Sequence, residues 1–309
     1  MKYRLLYILF VCSGLFACVD DDAPSPSYED NDWYEIKHDP SADELDQLRY
    51  SIYKETDIPI FYTDTLGSEI RYDGGGNPYT YYSVFRIGYI FIASGSNVKY
   101  LLSNDRDAIL CMTELLRDYT IPLLTDICRP RGFLIVDSLS NTAELTTGVR
   151  PRISGYKDME MTLTGLKPAE ETGLPIVTEM TEEQKEIYGY DMAFLDVYAY
   201  LSREFASSVE RFVAICENTG VKYGSSVDKN INPMEVGFFQ YTKIESDNNR
   251  IKVITQEVDM KDYMSRIYFK TDAEIRAEIA GYPVMLEKYQ IMLDILKKGG
   301  FEYLIHKTE

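Results

Sequence analysis

The stretch YLSREFASSVERF, Tyr200–Phe212, sets Arg203 and Ser207 one helical turn apart, with Glu204 beside the first and Glu210 a further turn on. In a zinc helix of the HExxH kind, histidines hold these i and i+4 positions. Only that spacing lets both imidazoles reach one ion, while the adjacent glutamate polarises the bound water. Here the glutamate is present and both histidines are replaced. A guanidinium stays protonated and repels a dication, and a serine hydroxyl is a poor zinc ligand beside imidazole. The longer HExxHxxGxxH form fails too, with Glu210 and Val213 at its later positions. A downstream acidic third ligand falls at Asp259 or Asp262 in VDMKDYMSRIY, where a solvated helix start also accounts for both.

Other chemistry is sparse. The chain has two histidines, His38 and His306, which read as surface residues, so a Ser-His-Asp or Cys-His site would have to recruit His306. Fifty acidic side chains offer many carboxylate pairs for glycoside hydrolysis, but their separation in space decides that chemistry and the sequence selects none. Cys111, Cys128 and Cys216 form no CxxC pair and read as buried small hydrophobes. The Gly74–Gly76 triplet lacks the spacing of a phosphate loop and reads as a flexible loop. Among the 26 tyrosines, those of YTYYSVF, Tyr79–Phe85, and YGYDMAF, Tyr188–Phe194, stand out. Such rings pack cores and interfaces, or stack on sugar rings and peptide side chains.

The elements that position these residues follow from periodicity. Ser41 to Glu44 has the form of a capping box, which opens a helix over 42–55. Apolar runs at 58–64, 84–93 and 132–140 read as strands, with a turn at 74–78 and a helix ending at Pro122 between them. Thr181 is an N-cap, and a long helix runs from about Asp191 to Asn218. Its apolar stripe is Phe194, Tyr198, Leu201, Phe205, Val209, Phe212 and Cys216, with Arg203, Ser207 and Glu210 opposite. A hairpin near 247–249 and helices at 259–268 and 272–298 complete the chain. Strands first and helices later predict an α+β fold, a small N-terminal sheet with a helical C-terminal half. One domain over 41–309 is expected, with an α/β part at 41–180 and a helical part at 181–309.

The N-terminus carries Lys2 and Arg4, an apolar run from Leu5 to Phe16, and Ala17 before Cys18. It is too short for a membrane span and reads as a secretory signal over 1–17. Leu15-Phe16-Ala17-Cys18 resembles a lipobox, which implies lipidation of Cys18 and an outer-membrane anchor. Residues 18–40, with Asp20, Asp21 and Asp22 followed by prolines and serines, read as an acidic disordered tether. That acidic run resembles the surface-export signal of Bacteroidetes lipoproteins; a merely solvated leader would leave the protein facing the periplasm. Without residues 1–17 the chain has 30 basic against 50 acidic side chains, a net charge of −20 that repels nucleic-acid backbones.

Together, the lipobox, a domain of this size, REFAS two thirds along and a long C-terminal helix resemble the substrate import-associated zinc metallohydrolase lipoproteins, also described as putative zinc-binding metallopeptidases of Bacteroidetes. The resemblance implies a zincin-like fold and association with TonB-dependent importers of the SusC/SusD type. Arg203-Glu204-Phe205-Ala206-Ser207 would lie over the family's zinc motif. Zinc is the family's cofactor, and the missing histidines leave this chain without it. The expected protein is therefore a pseudoenzyme that binds a substrate or partner for an importer, with Arg203, Ser207 and Glu210 on the binding face and Glu204 vestigial. The alternative is a hydrolase that keeps Glu204 in use with unconventional ligands.

Overall fold

The computed structural model describes residues 31–85, 99–140, 155–157, 161–168, 172–243 and 249–305. Helix α1 (Glu44–Thr56) leads into strand β1 (Ile60–Phe61), the hairpin strands β2 (Thr65–Tyr72) and β3 (Pro78–Val84), β4 (Lys99–Leu101) and helix α2 (Arg106–Leu115). A π-helical turn, Leu116–Thr120, and a short 3-10 turn then end at Leu123, around Pro122. Strands β5 (Phe133–Val136), β6 (Ser138–Ser140), β7 (Gly155–Lys157) and β8 (Thr162–Gly165) follow. Next come helices α3 (Glu182–Glu204) and α4 (Ala206–Glu217), then strands β9 (Ser226–Asp228), β10 (Thr242–Lys243) and β11 (Arg250–Lys252). Helices α5 (Gln256–Phe269), α6 (Asp272–Glu278) and α7 (Pro283–Lys298) close the fold. The described residues from Ile36 onward group into one compact unit.

The fold is α+β. Its main sheet has the order β1-β5-β8-β7, with β1, β5 and β8 parallel and β7 antiparallel at the edge. All four residues of β5 are buried, as the unbroken apolar run FLIV requires of a strand covered on both faces. Most of the strand expected at 84–93 lies outside the described residues, as do Cys18, His306 and the acidic run after Cys18. The expected hairpin near 247–249 appears as the antiparallel pair β10–β11, whose turn is not described.

Helix α3 lies along this sheet. Thr181 caps it in a full capping box with Gln184. Its inner face is unusually polar. Tyr188 donates through its hydroxyl to the Gly165 carbonyl at the end of β8, and Asp196 accepts from Thr162 Oγ1 at 2.9 Å. These buried groups are therefore satisfied where a helix crosses strand ends. Tyr188, Tyr190 and Phe194 are all buried, so YGYDMAF is core and presents no rings to a ligand.

Three expected boundaries change. The first helix is capped by Asp43, whose carboxylate accepts from the Asp46 amide, whereas Ser41 is turned toward Asp39. The single helix expected at 272–298 is two, α6 and α7, separated at Gly281, which has φ +86°, and restarted at Pro283. A proline there lacks the N–H an uninterrupted helix needs but suits a first turn. The helix expected over 191–218 begins earlier, at Glu182, and breaks at Phe205, with φ −118° and ψ 32°. Its apolar stripe nonetheless holds: Phe194, Leu201, Val209, Phe212 and Cys216 are buried, and Tyr198 and Phe205 are half-buried. Among the described residues, no helix is long and apolar enough to cross a membrane.

Candidate functional site

The break at Phe205 falls inside the stretch that would carry zinc. Arg203 and Glu204 end α3, while Ser207 and Glu210 belong to α4, so the helix break lies between positions 203 and 207. Arg203 Nε donates to Glu204 Oε1 at 2.6 Å, with the two side chains 71% and 49% exposed. Ser207 and Glu210 are exposed as well. Glu210 edges an open groove of about 360 Å³ shared with Ser202, Val213, Glu217 and Gln256, which supplies no imidazole or thiolate. Among the described residues, no group of three or more His, Cys, Asp or Glu side chains could hold a metal ion. The residues at the motif do not fit zinc, which wants three or four N, S or carboxylate donors converging within about 2.3 Å. Glu204→Ala should accordingly leave zinc content unchanged and shift stability by less than about 0.5 kcal/mol. Metal analysis and urea unfolding check both, and one zinc per chain lost in the variant would overturn the reading.

The two acidic residues considered as a third ligand have different fates. Asp262 is half-buried and accepts from Gln240 Nε2 at 3.2 and 3.0 Å. Asp259 is not at a solvated helix start; its side chain is wholly buried and ion-paired to an equally buried Lys288. Thr255 caps α5 by accepting from the Val258 amide, which turns the first turn so that Asp259 heads the inner stripe of Met260, Tyr263, Met264 and Ile267. On α7, Lys288 sits between Met285 and Met292 on a stripe completed by Tyr289, Ile295 and Leu296.

Around this pair the structure gathers an unusual set of groups. Lys288 Nζ donates to Asp259 Oδ2, to the Gly237 carbonyl at 2.7 Å and to Cys216 Sγ at 3.0 Å, with Tyr223 Oη 3.4 Å away. Tyr223 in turn donates to Asp259 Oδ2 at 2.6 Å. The amine lies 4.3 Å from the centre of the Phe212 ring, 4.7 Å from that of Phe238 and 5.0 Å from that of Tyr263, an aromatic cage of the kind that attracts cations. Gly237 is obligatory here. Its φ is +94°, and a side-chain carbon on it would come within 3.1 Å of Val284, Lys288 and Cys216.

Burial dominates the protonation of these groups. It pushes the Asp259 carboxyl up to about 6 from an ordinary 3.8, against the downward pull of Lys288 and Tyr223. Burial likewise raises the Tyr223 phenol and the Cys216 thiol, which keeps both in their proton-bearing forms at neutral pH. Of this set the sequence singled out Asp259, as a metal ligand, and Cys216, as a buried small hydrophobe closing the apolar stripe. The signal for the rest was a lysine at a core position of an otherwise apolar helical stripe. Lys288, Asp259 and Cys216 are wholly buried and Tyr223 is half-buried, so the ion pair itself does not meet solvent.

The outward-facing candidate is the β2–β3 hairpin, a two-stranded sheet with pairings from Thr65–Val84 to Tyr72–Pro78. Asp73 pins its turn by accepting from the Gly75 and Asn77 amides at 2.9 and 2.8 Å, and Gly76 takes the φ of +79° that the reversal needs. One face presents Ser68, Ile70, Tyr72, Thr80, Tyr82 and Val84, without a charged group; Tyr72 is 61% and Tyr82 58% exposed. The other face holds the Glu69–Arg71 pair, with Arg71 stacked 3.5 Å from the Tyr81 ring centre. No family model, curated protein or solved structure matches this chain.

Proposed function

We propose that this chain is a lipid-anchored, surface-exposed outer-membrane protein of a Bacteroidetes cell, accessory to a SusC/SusD-like nutrient importer. In this reading it keeps a zincin-like, metallopeptidase-like fold without zinc chemistry. The observation that carries the non-catalytic reading is the break at Phe205, which parts Arg203 and Glu204 from Ser207 and leaves all three exposed and without converging donors. The sequence features that support the address are Cys18 behind Leu15-Phe16-Ala17 and the acidic run that follows. Glu204, paired with Arg203 on an exposed helix end, lacks the sheltered, pre-aimed setting that general-base catalysis demands.

The ligand surface in this reading is the uncharged face of the β2–β3 hairpin. On a chain of net charge −18, a face bearing two exposed tyrosine rings and no ionic group suits a neutral ligand with flat apolar faces, as the C–H faces of sugar rings provide. The test has two parts. Cell fractionation with surface protease treatment should place the intact protein on the outer face of the outer membrane, and a cytoplasmic or inner-membrane location would sink the proposal. Tyr72→Ala with Tyr82→Ala should weaken binding to neutral oligosaccharides at least tenfold, about 1.4 kcal/mol. Because both rings are exposed, unfolding should move by no more than about 0.5 kcal/mol per site. Unchanged glycan binding, or binding lost only for a protein partner, would remove the sugar-stacking role from this face.

A further inference from the structure

We propose that Lys288 and Asp259 condense to an intramolecular isopeptide bond that ties α7 to α5. Both side chains are wholly inaccessible to solvent, and the rings of Phe212, Phe238 and Tyr263 wall off the amine. A buried ion pair in such surroundings is one proton transfer from a neutral amine and a neutral carboxylic acid, and burial favours the neutral forms because it penalises charge. The elevated affinity of Asp259 for its proton agrees with that direction.

The surrounding hydrogen bonds place the reacting atoms. A neutral amine has two N–H groups and one lone pair. The Gly237 carbonyl at 2.7 Å and Cys216 Sγ at 3.0 Å take the two N–H groups, which leaves the lone pair on the side of the Asp259 carboxyl and the Tyr223 hydroxyl. Tyr223 donates to Asp259 Oδ2 at 2.6 Å, where its hydroxyl supplies a proton to the oxygen that departs once nitrogen has added to Cγ. Lys288 Nζ and Tyr223 Oη both reach Oδ2, so Oδ2 takes the two protons it needs to depart as water, while Oδ1, without a hydrogen-bond partner among the described residues, stays as the amide carbonyl.

The step balances without a co-reactant. The ammonium and the carboxylate together become one amide N–H, one carbonyl and one water. The new bond is Lys288 Nζ to Asp259 Cγ, and the bond broken is Cγ to Oδ2. Two of the three ammonium protons leave with that oxygen as water. Fixed approach of the two groups supplies the kind of effective concentration that makes intramolecular acyl transfer fast. Replacing two buried charges with a neutral amide also removes a standing desolvation cost. Tyr223 is the proton relay of the step, giving a proton to Oδ2 and taking one back from the nitrogen 3.4 Å away.

Peptide mapping decides the matter. Trypsin cannot cut after an acylated lysine, so the mature protein should yield residues 253–261 joined to 277–297 as one branched species. Its mass should be about 18 Da below the sum of the two peptides, the mass of the one water lost on amide formation. Fragmentation should locate the branch at Lys288 and Asp259. Separate peptides of full mass from folded protein, after prolonged incubation, would overturn the proposal. Tyr223→Phe should slow conversion at least tenfold and leave a mixture of joined and separate peptides; conversion at the wild-type rate would remove Tyr223 from the mechanism. Lys288→Arg, which cannot form the bond, should give only separate peptides, and a persisting branched species would show that another lysine carries it.

Discussion

Lys288→Ala is expected to cost about 3–5 kcal/mol of unfolding free energy at pH 7, the range for breaking a buried charge pair. The physical reason is the partner left behind. Whether the pair stands as ions or as the condensed amide, the variant leaves the Asp259 carboxyl alone in a sealed aromatic pocket with only Tyr223 to satisfy it. The loss should depend on pH with a definite sign. Burial already holds this carboxyl near 6 with the amine present, and removing the amine removes its strongest downward influence. The folded variant then binds a proton that the unfolded chain releases near 3.8. Stability is therefore highest below that value and falls as pH rises through the folded-state value, at or above 6. Urea unfolding of the variant should show its deficit shrinking between pH 7 and pH 4.5. A deficit of equal size at both would mean that the cavity, and not the uncompensated carboxylate, carries the effect.

Gly189→Ala should destabilise by about 1–3 kcal/mol, although alanine is the better helix former. Residue 189 lies inside α3, and on helix propensity alone the change would add about 1 kcal/mol. Packing reverses the sign. A methyl carbon at this site would lie 2.4 Å from Tyr119 Cβ and 3.1 Å from the Tyr119 carbonyl carbon, so one backbone segment must retreat from the other. That retreat would also stretch the bond from Thr120 Oγ1 to the Gly189 carbonyl, now 3.1 Å, between two buried groups. The denaturation midpoint should fall with an unchanged slope. An unchanged or higher midpoint would show that the π-helical turn at Leu116–Thr120 slides to accept the methyl.

Local signals were readable where they concern one element. Thr181 with Gln184, the turn at 74–78 and the stripe from Phe194 to Cys216 needed only residue types and spacing. The Phe205 break was not readable in this way, because the stripe keeps helical spacing across it. The break lets one stripe serve two partners, with α3 against the sheet and the π-helical turn and α4 against α7. Pro283 by contrast carried its own warning, since a proline inside a predicted helix marks a restart.

The tyrosine-rich stretches show the same division. YTYYSVF and YGYDMAF read alike as chains of rings, yet Tyr79 and Tyr82 are exposed on a two-stranded hairpin while Tyr188 and Tyr190 are buried under a sheet. Composition cannot separate these outcomes, because burial depends on what packs above a face.

By itself the sequence determined the α+β class, the Thr181 cap, and the absence of the two histidines that a HExxH helix requires at 203 and 207. Each is a property of residue type and near-neighbour spacing. Only the tertiary structure decided that Lys288, Asp259, Tyr223, Cys216 and Gly237 meet in one cluster around a buried ion pair. They come from α7, α5, two connecting segments and the end of α4, up to 72 residues apart. No periodicity in a single element encodes such a meeting, which the packing of α4, α5 and α7 alone creates.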